Sequence, residues 1–170
     1  SGAAITGQVL GVRRVPVVKN QAISAYDPRA IKGTGVTYAT SPQGADHTSG
    51  LTIRANVDHT RPEGQVALSR TTQYKMAGYD SLGVCIFGGF GMDVALARDL
   101  VNGQYGWGVG DDYLFELGRE AIRMEREFNR RAGFTAADDR LPEWMRTEAL
   151  PELGVVFDVP EDEMDAIFEG

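Results

Sequence analysis

The chain has 170 residues, 42% hydrophobic and 24% charged, which is the balance of an ordinary globular domain long enough to bury a core. Its net charge of −7 disfavours a nucleic-acid partner, because an acidic surface repels phosphate backbones. No apolar run approaches the roughly 20 residues that span a bilayer, so no membrane segment is expected. The single cysteine, Cys85, excludes an internal disulfide and favours a reducing, cytoplasmic setting.

The first predicted element is a lead-in over residues 1–25, with at most a short strand, in which residues 1–4 have the composition of a cloning remnant. Residues 26–170 are predicted to form one helical domain. Its first helical signal is Asp27-Pro28, because aspartate accepts hydrogen bonds from free backbone amides and proline suits the first helical position. We therefore expect a helix over residues 28–45, although its glycines and threonines lower its helix propensity.

Three further helices are predicted over residues 65–82, 93–102 and 111–133. The last is the most regular, because its apolar residues recur at spacings of three and four. Shorter elements are expected over residues 141–147 and 161–168, with a short extended piece at 155–157. The fold class is therefore all-α, mainly helical, with at most a short strand or two.

Charge along the last long helix alternates in sign. The arginines and glutamates concerned are Arg119, Arg123, Arg126, Arg130, Arg131, Glu116, Glu120, Glu125 and Glu127. This spacing predicts an ion-paired helix face rather than a phosphate-binding surface. Asp138 and Asp139 are interpreted in the same way, as a cap and a solvated face.

Three residues are candidates for chemistry, each with an ordinary alternative. Cys85, beside Ile86 and Phe87, is either a buried packing residue or one thiolate ligand of an iron–sulfur cluster whose other ligands come from elsewhere. His47 is either a surface histidine without a role or a group that relays protons near neutral pH. Asp80 is either a helix-terminal carboxylate or an acceptor for the N–H groups of a planar heterocycle.

Familiar phosphate-loop, CxxC and HExxH motifs are absent, so these residue patterns alone indicate a helical domain and leave its function open. Three longer segments add to that picture. Residues 26–47 have the sequence YDPRAIKGTGVTYATSPQGADH, residues 80–85 DSLGVC, and residues 125–142 EREFNRRAGFTAADDRLP. In order and approximate spacing they resemble segments of the tungsten-dependent aldehyde:ferredoxin oxidoreductase family, whose patterns are YDPR…KG.G…YATS.RGA.H, DxxGLC and LERLFN.R.GFT..DD.LP.

The resemblance implies the C-terminal helical domain of an enzyme that oxidises aldehydes to carboxylic acids. Electrons would pass through a tungstopterin (bis-pterin tungsten, or molybdenum) and a 4Fe–4S cluster to ferredoxin. Cys85 matches the fourth cluster ligand, Asp80 the acidic residue that binds pterin, and His47 the histidine on the substrate side of the metal. Val84 matches a leucine of the family's DxxGLC motif, a position at which the backbone is more important than the side chain. Because the remaining N-terminal domains of the enzyme supply the rest, the chain alone is expected to be inactive.

Departures from the family pattern bear on activity. Gln43 stands where an arginine is common, so a charge near the cofactor or near the acidic helix partner is missing, and Trp144 also departs from the pattern. The alternative function is a non-catalytic helical module for packing or partner contact, with Cys85 in its core. If the enzyme interpretation holds, Asp80, Cys85 and His47 should face one surface on which residues 86–91 are exposed.

Overall fold

A computed structural model of the chain describes residues 2–89 and 91–169 and confirms the all-α fold class. The elements in chain order are α1 (Ala3–Leu10), β1 (Val17–Val18), β2 (Gln21–Ala22), α2 (Lys32–Thr40), the 3-10 turn η1 (His47–Ser49), α3 (Gln65–Ser81), α4 (Ile86–Gly89), α5 (Val94–Tyr105), α6 (Tyr113–Arg131), the 3-10 turn η2 (Ala136–Asp138), α7 (Glu143–Thr147) and α8 (Glu161–Asp165). The two strands pair antiparallel, with Val17 opposite Ala22. Within these residues, no helix is long and apolar enough to cross a membrane.

Helix α2 lies at the centre of the molecule, and every residue in it is buried. Its sequence is polar, so burial depends on pairing its hydroxyl groups. The Thr34 and Thr52 hydroxyls lie 3.0 Å apart, Thr37 donates to the carbonyl of Gly50, and Gln73 Nε2 donates to Thr40. These bonds offset the cost of removing the hydroxyls from water, which explains how a threonine-rich helix can occupy the core.

The prediction of a helix over residues 28–45 is wrong at both ends. Asp27 does accept from the Arg29 amide, but the turn it caps stops at Ile31, whose backbone (φ −130°, ψ 75°) is not helical. The continuous helix therefore begins at Lys32. It ends at Thr40 because Pro42 disfavours helical geometry in the residue before it, and Ser41 is accordingly extended.

Two hydrophobic clusters form around these helices. The larger one joins α2 and β1 to the C-terminal segment; its buried members are Val18, Val36, Tyr38, Ala39, Ala45, Leu141, Met145, Phe157, Val159, Met164 and Ile167. The smaller one lies between α3, α5 and α6, with Met76, Tyr79, Ala97 and Leu114 buried. The predicted extended piece at residues 155–157 is present as loop, and its Phe157 is fully buried.

Helices α3 and α6 cross at two glycines. A Cβ atom added to Gly118 would lie 1.8 Å from the carbonyl oxygen of Tyr74, and one added to Gly78 would lie 2.3 Å from the carbonyl oxygen of Leu114. Each glycine therefore meets backbone of the other helix, which no rotamer change can move aside. The close approach brings α6 against the end of α3 where Asp80 lies.

The C-terminal end of α2 is held by a buried charged network. Lys19 Nζ donates to the carbonyl of Ala39 (2.6 Å), and Arg126 donates to that of Thr40 (3.1 Å). Asp139 lies between the two cations, 2.6 Å from Lys19 Nζ and 3.0 Å from Arg126. Burial lowers the pKa of Lys19, and Asp139 opposes that shift. The prediction that Asp139 is a cap or a solvated group is wrong, since it is only 8% exposed.

The ion-paired face predicted for α6 is largely confirmed. Arg119 pairs with Glu116, Arg123 with Glu120, and Arg130 and Arg131 with Glu127. Arg126 is the exception among the arginines because it turns inward to Asp139. Glu125 forms no ion pair with the described residues, which leaves its charge unneutralised.

The N-terminal 25 residues contain more structure than the sequence indicates. The predicted short strand is present as the hairpin β1–β2, whose turn places Lys19 and Asn20 at positive φ. Helix α1 precedes it and was not predicted. Its Val9 and Leu10 are largely exposed, so no apolar stripe marks it as amphipathic.

Candidate functional site

The segment DSLGVC forms the C-terminal cap of α3. Gly83 adopts a left-handed conformation (φ 72°), its amide donates to the carbonyl of Asp80, and the Val84 amide donates to that of Tyr79. This pair of bonds is the Schellman motif, which ends a helix at a residue that tolerates positive φ. An apolar contact usually accompanies the motif, and Val84 does pack in the same cluster as Tyr79. The spacing between Asp80 and Cys85 is thus explained by helix termination.

The cap determines what Val84 and Cys85 can offer a ligand. The Val84 side chain packs inward and its amide is committed to the cap, so a ligand could use its carbonyl group. Cys85 follows immediately, and its thiol is exposed. That exposure contradicts the interpretation of Cys85 as a buried packing residue. Phe87 is also largely exposed (78%), as expected for this stretch, whereas Phe90 lies outside the described residues.

Asp80 lies in the last turn of α3 and lines a pocket of about 280 Å³ between that helix, α6 and the residues that follow α2. Gln43, Ser49 and Glu125 line the same pocket, and Gln43 Oε1 accepts a hydrogen bond from Ser49. Gln73 is also part of the wall. Its Oε1 is buried and has no hydrogen-bond partner in the described part of the chain. The pocket is therefore rich in oxygen acceptors.

Carboxylates repel one another around this pocket. Partial burial, then the charge of Asp46, raises the pKa of Asp80 above its ordinary value. Partial burial, then the charge of Asp80, raises the pKa of Glu125. A cation at position 43, where Gln43 stands, would relieve this repulsion. Within residues 2–89 and 91–169, no group of three His, Cys, Asp or Glu side chains is arranged to hold a metal ion.

Neutralising Asp80 is expected to stabilise the chain at neutral pH. A carboxyl whose pKa is raised by folding destabilises the folded state above that pKa, and the penalty disappears below the unfolded value near 3.8. Asp80→Asn should therefore raise the urea midpoint at pH 7, and the advantage should shrink as the pH falls towards 4.

Glu63→Gln, at the opposite end of α3, is the matched control. A carboxylate near a helix N-terminus is favourable, so its removal should be neutral or slightly destabilising. Equal gains for the two variants would show that the effect is not specific to the pocket.

His47 begins the turn η1, whose Ser49 lines the Asp80 pocket. Its Nδ1 lies 2.9 Å from Ser24 Oγ and 3.6 Å from Asp46 Oδ1, and its side chain is one-third exposed (33%). The structure thus brings the turn of His47 and the carboxylate of Asp80 to one pocket, with Asp46 acting electrostatically on both. Cys85 is not among the residues that line this pocket.

Four contributors to this region were not found from the sequence: Ser24, Asp46, Gln73 and Glu125. Glu125 belongs to the alternating charge pattern of α6, so the sequence does not distinguish it from the ion-paired glutamates of that helix. Ser24 and Gln73 are far apart along the chain, and no local spacing marks them. Asp46 is the one of the four that sequence reasoning could have found. An aspartate two residues before a threonine is typical of a capped turn, and Asp46 does accept a hydrogen bond from the Thr48 amide.

A larger groove of about 770 Å³ along α6 contains none of the predicted site residues. Its wall includes Arg123, paired with Glu120, and Arg130, paired with Glu127. Because these arginines are already paired with glutamates, they would bind an anionic ligand only weakly. We therefore place the candidate site at the smaller pocket.

The structure thus defines a helical domain with an acceptor-lined pocket and an exposed thiol after a capped helix, and comparison with known proteins identifies its family. Residues 3–168 match the family model described as aldehyde ferredoxin oxidoreductase, domains 2 and 3. The chain belongs to this family. It is 32% identical over 144 residues to the tungsten-containing aldehyde ferredoxin oxidoreductase of Pyrococcus furiosus, and 31% identical to those of Pyrococcus abyssi and Thermococcus kodakarensis. Each match covers 79% of this chain and 24% of the relative, so the chain spans about a quarter of their length.

Proposed function

We propose that this chain forms the C-terminal part of an enzyme that oxidises aldehydes to carboxylic acids and passes the electrons to ferredoxin. In that reaction an aldehyde and water give the acid, two protons and two electrons, and two ferredoxins each accept one electron. The observation that carries the proposal is the shared pocket: Asp80 and the turn of His47 meet there, and the family's names refer to this chemistry.

The pocket fits one edge of a pterin. A pterin presents N–H donors in its plane, and the pocket offers the carboxylates of Asp80 and Glu125 as acceptors. A bound N–H donor would also relieve the repulsion between the two carboxylates. A tungsten or molybdenum pterin, when bound, supplies the two-electron redox chemistry. The part of this chain is to bind and orient that group.

Cys85 fits a cluster ligand because its thiol is exposed, but it provides one of the four thiolates that a 4Fe–4S cluster requires. The other three would come from the remaining domains of the enzyme. The 170-residue chain alone should therefore remain colourless after anaerobic reconstitution with iron and sulfide. Visible absorption and an iron assay check this, and a stoichiometric cluster on the monomeric chain would contradict it.

His47 is proposed to accept a proton as water adds to the aldehyde carbon and the acid forms. An imidazole is suited to this near neutral pH, and general base catalysis typically contributes about 10²–10⁴-fold to a rate. In the native full-length enzyme, His47→Ala should lower kcat by roughly that factor while metal and pterin contents stay near normal. His59→Ala is the matched control, and loss of tungsten or molybdenum from the His47 variant would show that the histidine holds the cofactor instead.

The proposal as a whole is tested on the native full-length protein purified without oxygen. Metal analysis should find tungsten or molybdenum together with iron, and an aldehyde should reduce ferredoxin in its presence. Absence of both metals with intact folding would favour the non-catalytic module, although the exposed Cys85 already contradicts the core position which that alternative gave it.

A further inference from the structure

The imidazole of His47 is contacted on one side of its ring. Ser24, which follows the hairpin β1–β2, places its Oγ 2.9 Å from Nδ1. Asp46 places its Oδ1 3.6 Å from the same nitrogen, and the ring of Tyr26 packs at a tilt with its centroid 5.4 Å away. Nε2 makes no hydrogen bond with the residues that the structure describes. The two nitrogens therefore have different surroundings.

We infer that Ser24 and Asp46 are positioning residues that keep the proton of neutral His47 on Nδ1 and leave the Nε2 lone pair free to accept another. A lone pair on Nδ1 would face the Asp46 carboxylate and be repelled by it, whereas an Nδ1–H group is attracted. That hydrogen can be accepted by Ser24 Oγ. The bond made by one ring nitrogen sets the state of the other, so two groups that never touch the substrate decide whether Nε2 is an acceptor.

Asp46 is fixed independently of the histidine. Its Oδ1 accepts from the Thr48 amide (2.8 Å) and its Oδ2 from the Thr48 hydroxyl (2.7 Å), as part of the cap of η1. The carboxylate cannot swing away without breaking the cap. It therefore presents a negative charge to Nδ1 whether or not the histidine is protonated.

Ser24 has a second polar neighbour in Tyr38. Burial raises the pKa of Tyr38 to about 12, and the nearby Ser24 hydroxyl works against that rise. The buried Tyr38 hydroxyl has no hydrogen-bond partner of normal geometry in the described part of the chain, so the phenol does not occupy Ser24 Oγ. Ser24 Oγ is therefore able to accept from His47 Nδ1.

The inference rests on the proposed function of His47, but it is tested without activity. The full chain contains two histidines, so ¹⁵N-histidine labelling gives two imidazole patterns, with His59 as the internal reference. Long-range ¹H–¹⁵N spectra, recorded at a pH where both rings are neutral, distinguish the Nδ1–H from the Nε2–H form. His47 is expected to be mainly Nδ1–H. Ser24→Ala, which removes the hydroxyl bonded to Nδ1, should shift its tautomer ratio towards Nε2–H by roughly fivefold, the worth of one hydrogen bond. Asp46→Asn, which removes the charge facing Nδ1, should shift the ratio in the same direction.

Ser24→Thr keeps the hydroxyl and should restore the wild-type ratio, which a purely structural role for Ser24 would not predict. Mainly Nε2–H in the wild-type chain would overturn the inference, and that measurement needs no variant to fold. A ratio unchanged in the folded Ser24→Ala and Asp46→Asn chains would also overturn it. If the Nδ1–H form is found but His47→Ala leaves kcat of the full-length enzyme unchanged, the proposed function fails and the positioning inference stands.

Discussion

Gly118→Ala is expected to lower the free energy of unfolding by roughly 3 kcal/mol or more, at or beyond the upper end of the usual cost of overpacking. The new methyl group would lie 1.8 Å from the carbonyl oxygen of Tyr74, so α3 and α6 would have to separate. Separation would open the smaller cluster around Leu114 and displace the end of α3 that carries Asp80. Urea unfolding followed by circular dichroism measures the loss.

Gly103→Ala provides the matched control within another helix. A Cβ atom at Gly103 would meet nothing within 4 Å, and its φ is not positive, so alanine should stabilise the chain by about 0.5–1 kcal/mol. The two substitutions are chemically identical and differ in what the methyl group meets. A similar change in both would show that α3 and α6 do not depend on their close approach.

Asp139→Ala is expected to cost about 3 kcal/mol, because it leaves the buried Lys19 ammonium, and the partly exposed Arg126 beside it, without their shared counter-charge. Both cations also donate to carbonyls at the end of α2, so their displacement would loosen that helix end. Thermal and urea unfolding at pH 7 measure the effect.

The neighbouring residue gives the comparison. Asp138 is exposed and accepts from the amide and hydroxyl of Thr135 in the cap of η2. Asp138→Ala should therefore cost much less than Asp139→Ala, because only an exposed cap is lost. Equal costs at the two positions would contradict the buried network as the source of the effect.

The helices that the sequence predicts well are those whose signals are local. Helix α6 shows regular apolar spacing and ends before Gly133, as predicted, and the Asp93 side chain caps α5 by accepting from the Leu96 amide. One helix end was predicted at the wrong glycine: α5 continues past Gly103 and ends at Tyr105, and the next residue, Gly106, adopts the left-handed conformation. Composition alone could not tell which of the two glycines has that backbone.

Features that depend on distant partners were missed. The buried position of Asp139 requires Lys19, 120 residues away along the chain, and nothing in DDR distinguishes it from the exposed Asp138. Helix α2 has no amphipathic pattern because it is buried on all sides, so its bounds had to be taken from turn signals that proved misleading. The candidate site was partly predictable: family resemblance indicated His47, Asp80, Val84 and Cys85, whereas Glu125 and Ser24 become apparent only once the chain is folded.

The cap that joins Asp80 to Cys85 has a consequence for how this segment can change over evolutionary time. The exposed Ser81 can be exchanged for other residues at little cost, because the cap uses its backbone, whereas Leu82 also packs against the smaller hydrophobic cluster. An insertion or deletion between positions 80 and 85 is different. It would move Gly83 out of the one place where left-handed geometry is needed and would rotate the thiol relative to the carboxylate. Substitutions at the exposed Ser81 are therefore tolerated, whereas changes in the length of the segment or at Gly83 are not, and a protein engineer could transfer the six residues to another helix end as a single unit.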